Sequence, residues 1–171
     1  VATDLQKYYV EYTRGLLDPD ELLQVVNTAC PGPGACNLMG TACTMASLTE
    51  ALGLALPGCA TVFATDPKRR MLAKQSGKQI LNLIKKEIKP ADILTKSSFE
   101  NAMRVDMAIG GSTNTTLHLP AIAHEVGVEL SLKDFDRMSQ ETPCLCQIKP
   151  NGPYNFSDLE KAGGIPAVMK N

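Results

Sequence analysis

Glycine and proline divide this chain into segments of helical length, and that punctuation limits its fold more than any other feature. Helix-breaking clusters occur at residues 31–34, at residues 57–58 and at residues 110–111. Between them, apolar residues recur every three or four positions, the spacing of an amphipathic helix. Strand-like alternation is nearly absent. The sequence therefore predicts one helix-rich domain over residues 1–171.

Capping residues set the expected limits of the individual helices. We predict helices at residues 4–14, after Asp18, at residues 37–52, at residues 67–88 after Asp66, after Ser98, from about Asn114, after Ser131 and after Ser157. Residues 61–64 are the best strand candidate, and residues 144–149 form a short extended piece. Near the end, Gly163 and Gly164 stop one helix and Pro166 opens another, which residue 171 cuts short. We therefore expect an internal piece of a longer protein.

Composition and charge exclude several classes of protein. The formal net charge is −1, so no basic surface for nucleic acid or anionic lipid is expected. No apolar run approaches the roughly 20 residues of a membrane span, and no signal peptide is visible. Six cysteines are few for a disulfide scaffold of this length. They suit thiols in a reducing, cytoplasmic setting, some structural and one or two available to a metal.

Cys36 is the main candidate for metal chemistry. It follows a tight glycine–proline turn and precedes the predicted helix at residues 37–52. A thiol at a helix N-terminus has a lowered pKa, and thiolate is the form that binds metals. Cys30, six residues earlier, matches no ligand spacing known for zinc or ferredoxin sites. From the residues alone, a small buried cysteine and a metal ligand both remain open for Cys36.

A second candidate is the turn that contains Ser112, Thr113 and Asn114, directly after two glycines. Glycine permits close approach, and hydroxyl and free N–H groups at a helix start suit a carboxylate. A plain turn between helices, with Ser112 or Asn114 as its cap, remains the alternative. The pair Cys144 and Cys146 could chelate a soft metal, although alternation in an extended segment places both thiols on one face for packing alone.

Several stretches resemble the dihydroxy-acid dehydratase and sugar-acid dehydratase family. They occur in family order at residues 30–45 (CPGPGACNLMGTACTM), 49–58 (TEALGLALPG), 108–114 (AIGGSTN), 117–119 (LHL), 134–137 (DFDR), 149–150 (KP) and 162–170 (AGGIPAVMK). The resemblance covers nearly the whole chain. It implies the helix-rich portion of a three-layer α/β/α domain, an α/β fold whose sheet is completed mainly from outside these residues.

The resemblance also implies the cofactors. In such enzymes three cysteines hold a [2Fe-2S] or [4Fe-4S] cluster, and one iron without a protein ligand acts on the departing hydroxyl. Cys36 matches the last of the three, whereas Cys30 matches a non-ligating cysteine and Cys43 a position where asparagine is common. The resemblance places the other two ligands, the Mg²⁺ ligands and the serine base outside residues 1–171. We therefore expect no catalytic residue within the chain.

The function implied is part of a hydro-lyase that converts a 2,3-dihydroxy acid to a 2-keto acid in branched-chain amino-acid biosynthesis. Such a parent enzyme is a homodimer or larger assembly. An aldonate (sugar-acid) dehydratase is the alternative within the family, and residues 36–42 lean that way, whereas residues 162–170 lean toward the dihydroxy-acid branch. Outside the family, a non-catalytic helical association domain remains open. An iron–sulfur electron carrier would need four suitably placed cysteines, which the pattern does not offer.

Overall fold

A computed structural model describes residues 2–30 and 32–171, with the side chains from Asp4 onward. Ten helices are present in these residues. They are α1 Ala2–Thr13, α2 Pro19–Thr28, α3 Thr41–Ala51, α4 Pro67–Lys85, α5 Pro90–Ile93, α6 Lys96–Ile109, α7 Thr115–Glu125, α8 Leu132–Glu141, α9 Phe156–Lys161 and α10 Gly164–Lys170. The described residues form no strand ladder, and a single β-bridge joins Ile148 and Tyr154. The helix-rich prediction is confirmed.

The core forms where α3 lies along α6, with α7, α8 and α10 around them. The buried face of α3 consists mostly of small or polar side chains: Cys43, Thr44, Ser47, Leu48, Glu50 and Ala51. Larger side chains on α6 fill the space opposite, and Phe99, Met103 and Ile109 are fully buried. Small residues on one helix let the other approach closely. The segment with Cys36 leads into α3, and the loop at residues 110–114 follows the end of α6.

Helix α3 begins four residues later than the sequence predicts. Residues 37–40 form bends instead, because their backbone groups bond to a distant segment. The N–H of Met39 donates to the carbonyl of Lys149 (2.7 Å), and the carbonyl of Asn37 accepts from the N–H of Phe156 (3.4 Å). A backbone group engaged elsewhere cannot join the helical ladder, so tertiary contacts override the local apolar spacing.

The strand predicted at residues 61–64 is wrong, since these residues form turns and bends. Side chains satisfy the local backbone instead of a neighbouring strand. The Arg69 guanidinium donates to the carbonyl of Val62 (2.8 Å), and the Thr61 hydroxyl donates to Glu160 on α9. The buried carboxylate of Glu50 accepts the N–H groups of Gly58 (2.7 Å) and Ala60 (2.9 Å), which precede residues 61–64 in the chain.

The predicted caps are partly confirmed. Asp18 and Asp66 are the N-caps of α2 and α4, and the Asp134 carboxylate accepts from the N–H (2.9 Å) and hydroxyl (2.8 Å) of Ser131. Two caps are wrong, because Thr95 precedes α6 and Asn155 precedes α9 in place of Ser98 and Ser157. In each case a residue two or three positions earlier has the extended backbone that an N-cap requires.

Helix α4 has an apolar side that the described residues leave uncovered. It ends at Lys85 rather than near Ile88, and Leu72 is its one buried residue. Ile80, Leu81 and Ile84 are each more than half exposed. The apolar spacing is present, but nothing in the described chain packs on it. No helix among the described residues has the length and apolarity to span a membrane.

The Glu50 carboxylate offers a test of the fold. Glu50→Ala should lower the free energy of unfolding by about 2–4 kcal/mol, because the N–H groups of Gly58 and Ala60 would lose a charged acceptor. Urea denaturation followed by circular dichroism measures this change. The control is Glu125→Ala, an exposed glutamate on α7, which should change stability by less than about 0.5 kcal/mol. Equal effects of the two substitutions would contradict the role given to Glu50.

Candidate functional site

The thiol of Cys36 lies at the wall of an open cavity of about 740 Å³. Cys36 is exposed, which confirms its predicted place at a surface cleft. Its predicted position at the N-terminus of a helix is wrong, because α3 begins five residues later at Thr41. The stabilisation of its thiolate by a helix dipole, expected from the sequence, therefore loses its structural basis.

A clamp to α9 fixes the backbone beside Cys36. The side-chain amide of Asn37 donates to the Ser157 hydroxyl (3.1 Å), and the N–H of Ser157 donates back to Asn37 Oδ1 (2.7 Å). These reciprocal bonds join residues 120 positions apart. They hold the segment on which Cys36 is displayed, so this thiol is exposed yet its backbone is anchored.

The buried Cys43 of α3 contacts the segment that contains Cys36. Its thiol donates to the carbonyl of Cys36 (3.2 Å). Burial raises the pKa of Cys43 to about 11, and the nearby Cys36 thiol adds to the rise, while a hydrogen bond from the Leu38 backbone opposes it. Cys43 is therefore a protonated hydrogen-bond donor, and Cys36 is the better of the two as a metal ligand.

The other four thiols fall into two pairs. Cys30 and Cys59 line the same cavity as Cys36. Cys144 is exposed and Cys146 is half-buried. Burial raises the pKa of the Cys146 thiol, and the nearby Cys144 thiol adds a smaller rise. All six cysteines are free thiols. Within the described part of the chain, no group of three or more histidine, cysteine, aspartate or glutamate side chains could hold a metal ion.

The cysteine thiols of this chain are arranged to supply one ligand of an iron–sulfur cluster. An exposed thiol facing open space can reach an iron atom that other thiolates share, whereas the buried, protonated Cys43 cannot easily do so. Residues 2–30 and 32–171 bring no second and third thiolate to Cys36 as a group. Cys36 therefore suits the role of a single contributing ligand.

The turn with Ser112, Thr113 and Asn114 follows α6 at Gly110, whose left-handed backbone (φ 64°) ends the helix. The N–H of Ser112 donates to the Thr44 hydroxyl (3.0 Å). Asn114 is the N-cap residue of α7, but its side chain makes no cap bond. It donates instead to the Thr41 hydroxyl at 2.6 Å. Thr113 is exposed.

The first turn of α3 connects the two candidate segments. Cys43 bonds the carbonyl of Cys36, while Thr41 and Thr44 bond Asn114 and Ser112. Cys36 and the loop at residues 110–114 thus attach to the same short stretch of helix. They do not line one cavity, since the cavity beside Cys36 excludes residues 110–114.

Sequence reasoning missed Asp106, which supports the loop, and gave Gly111 only a general role in close approach. Asp106, on α6, is 4% exposed, and its carboxylate accepts the Thr115 hydroxyl (2.6 Å). Gly111 packs against this carboxylate so closely that a Cβ there would overlap Oδ1 of Asp106. An aspartate within the apolar run Val105–Ile109 of a predicted helix is the signal that could have revealed the site.

Comparison with known sequences finds relatives along nearly the whole chain. The sequence model described as dihydroxy-acid/6-phosphogluconate dehydratase, N-terminal, matches residues 1–171. A protein of Methanococcus aeolicus named dihydroxy-acid dehydratase is 52% identical over 161 residues, covering 94% of this chain and 29% of that protein. A Hydrogenobaculum protein of the same name is 51% identical over 157 residues, covering 92% and 28%.

The chain belongs to the dihydroxy-acid/6-phosphogluconate dehydratase family, in its N-terminal region. It spans about three tenths of the length of the curated relatives that it matches. The resemblance carried by residues 30–45 and 108–114 is thereby confirmed at the level of the family.

Thiol labelling tests the contrast between Cys36 and Cys43. With iodoacetamide at pH 8, Cys36 should react at least about tenfold faster than Cys43, because one is exposed and the other is buried and protonated. Tandem mass spectrometry, which locates the alkylated cysteines within the tryptic peptide of residues 15–68 that contains both, measures the two rates after timed quenching. In 8 M urea the two rates should converge. A Cys43 that reacts as fast as Cys36 in the folded chain would contradict the described geometry.

Gly111 tests the packing beneath the loop. Gly111→Ala should destabilise the chain by about 2–4 kcal/mol, since the added methyl group cannot fit beside Asp106. The matched control is Gly77→Ala in α4, where a Cβ would meet no atom within 4 Å. That control should stabilise the chain by up to about 1 kcal/mol through helix propensity. Thermal unfolding distinguishes the two, and a neutral Gly111→Ala would refute the steric account.

Proposed function

We propose that this chain is part of an enzyme that removes water from a 2,3-dihydroxy carboxylic acid to give a 2-keto acid. The observation that carries the proposal is the exposed thiol of Cys36, which lies at a cavity on an anchored backbone. The surrounding sequence matches the family. The family relatives named above are dihydroxy-acid dehydratases. That name favours the dihydroxy-acid reaction, and with it branched-chain amino-acid biosynthesis, over an aldonate substrate.

Cys36 would hold one iron of an iron–sulfur cluster. When bound, a cluster with one iron free of protein ligands supplies a Lewis acid that stabilises the departing hydroxide, a poor leaving group. The chain itself orients the ligand, because Asn37 and Ser157 anchor the backbone next to Cys36. Cys43 contributes a hydrogen bond to the Cys36 carbonyl. Mg²⁺, which we expect to be held by residues outside this chain, would stabilise the enolate-like charge.

The loop with Ser112, Thr113 and Asn114 would border the substrate. Thr113 is exposed, and the hydroxyl of Ser112 and the amide of Asn114 face Thr41 at the start of α3. Hydroxyl and amide groups of this kind suit the carboxylate and hydroxyls of a dihydroxy acid. Their hydrogen bonds to α3 limit their movement, so the loop would orient the acid with little loss of entropy on binding.

Membership of this family also suggests the domain and the assembly to which the chain belongs. We propose that residues 1–171 form part of a single three-layer α/β/α domain, to which they contribute helices. The parent enzyme would be a cytoplasmic homodimer or larger assembly without nucleic-acid or membrane partners. The uncovered apolar side of α4 would then pack against other parts of that assembly. It is also the observation that favours the rival function, a non-catalytic association domain.

A full-length chimera tests the function, with this chain in place of the matching segment of the Methanococcus aeolicus relative. Reconstituted anaerobically, the chimera should convert 2,3-dihydroxyisovalerate to a keto acid faster than it dehydrates an aldonate. Cys36→Ser should abolish turnover and the visible cluster absorbance, because oxygen is a poor ligand for this soft site. Circular dichroism should show that the fold persists.

The matched control in the chimera is Cys146→Ser, which should leave most of the absorbance and activity intact. Identical behaviour of the two variants would refute Cys36 as a ligand. An aldonate preference would select the sugar-acid branch. A correctly folded chimera that binds a cluster but dehydrates neither acid would overturn the dehydratase proposal and favour the association domain.

A further inference from the structure

The carboxyl group of Asp106 is buried beneath the loop at residues 110–114 with an incomplete set of hydrogen bonds. Its Oδ2 contacts the Thr115 hydroxyl at 2.6 Å. Its Oδ1 is inaccessible to solvent and has no hydrogen-bond partner among the described residues. Leaving an ionised carboxylate oxygen buried and unpaired is costly, and a neutral carboxylic acid lowers that cost.

The Thr115 hydroxyl is placed to donate to two acceptors at once. Besides Asp106 Oδ2, it lies 2.9 Å from the carbonyl oxygen of Ser112. A hydroxyl has one proton to donate, so it cannot serve an ionised Asp106 and the Ser112 carbonyl together. A proton on Asp106 Oδ2 resolves the conflict. Asp106 then donates to Thr115 Oγ1, and Thr115 donates to Ser112.

We propose that Asp106 is a positioning residue for the loop, whose protonated carboxyl completes a hydrogen-bond chain from Asp106 through Thr115 to the Ser112 carbonyl. Ionisation of Asp106 breaks one link and loosens Ser112, Thr113 and Asn114. The inference rests on the proposed function only where it treats this loop as part of the substrate site. The hydrogen-bond chain itself depends on the fold alone.

The surroundings of Asp106 support this protonation. Burial raises its pKa to about 6, against the opposing effect of the Thr115 hydrogen bond. No neighbouring charge contributes to that shift.

Charged groups on two of the helices packed against α6 are engaged elsewhere. On α3, the Glu50 carboxylate accepts the N–H groups of Gly58 and Ala60. On α8, Arg137 lies among the acidic groups of Glu100, Asp134 and Glu141.

The sign of the pH dependence follows from a folded-state pKa above the ordinary value of 3.8. The stabilising proton is fully present below about pH 4 and is lost as the pH rises through about 6. Ionisation of Asp106 should therefore increase the unfolding equilibrium constant by up to about 100-fold between pH 4 and pH 8. Asp106→Asn removes this dependence, because an amide stays neutral and can donate to Thr115 Oγ1.

The first experiment is urea unfolding of the 171-residue chain at pH 4, 6 and 8. The difference between the wild type and Asp106→Asn cancels the titration of all other groups. The variant should match the wild type at pH 4 and be more stable at pH 8. Thr115→Val should destabilise the chain at pH 4, and Thr115→Ser should restore most of that loss. Parallel pH profiles for the wild type and Asp106→Asn would overturn the proposal.

The second experiment measures KM for 2,3-dihydroxyisovalerate in the chimera between pH 6 and pH 8. For the wild type KM should rise several-fold with pH, while Asp106→Asn should keep KM low with kcat unchanged. A KM equally dependent on pH in both would refute the positioning role, even if the unfolding result holds. Absence of dehydration in every chimera would instead refute the proposed function and leave the hydrogen-bond chain standing on the unfolding data.

Discussion

The close packing of α3 on α6 is the constraint on which both candidate site segments depend. Cys43, Thr44 and Ser47 are small buried side chains of α3, so α6 can approach this helix closely. The N-terminal turn of α3 then reaches the Cys36 carbonyl on one side and Ser112 and Asn114 on the other. A larger residue in this turn would displace both segments together.

Two buried carboxylates near this interface show opposite solutions to the same energetic problem. Glu50 receives two backbone N–H groups, which replace the water that its charge gives up on burial. Asp106 has one hydroxyl partner and an unpaired oxygen, and burial raises its pKa to about 6. The first carboxylate stabilises a loop through direct bonds to its backbone. The second makes the geometry of a loop depend on a proton.

The sequence predicted the helical character of the chain because glycine, proline and capping residues act locally. The side chains of Asp18 and Asp66 accept N–H groups from the first helical turn that follows them, and the Asp134 carboxylate accepts the N–H of Ser131. A local sequence pattern records such bonds. It failed where distant segments compete for backbone groups. Residues 37–40 bond to residues 149–156, so α3 starts late. Residues 61–64 find partners in Arg69 and Glu160 rather than in a strand.

The same distinction applies to the candidate site. Sequence motifs located Cys36 and the loop at residues 110–114, but they carried no information about what holds them. Asn37 and Ser157 are 120 residues apart, and the bonds of Thr41 to the loop span about seventy residues. Asp106 gave a local signal, a charged side chain among apolar ones, which becomes meaningful only when burial and Gly111 are seen together.

The central claim, that this fold displays Cys36 as a cluster ligand, is tested most directly by a protection measurement. The reconstituted chimera is treated with iodoacetamide before and after the cluster is removed with a chelator, and the alkylation of each cysteine is quantified by tandem mass spectrometry. Cys36 should be protected only while the cluster is bound, whereas exposed Cys30 and Cys144 should react equally in both states. A Cys36 that is alkylated at the same rate with and without the cluster would contradict the claim.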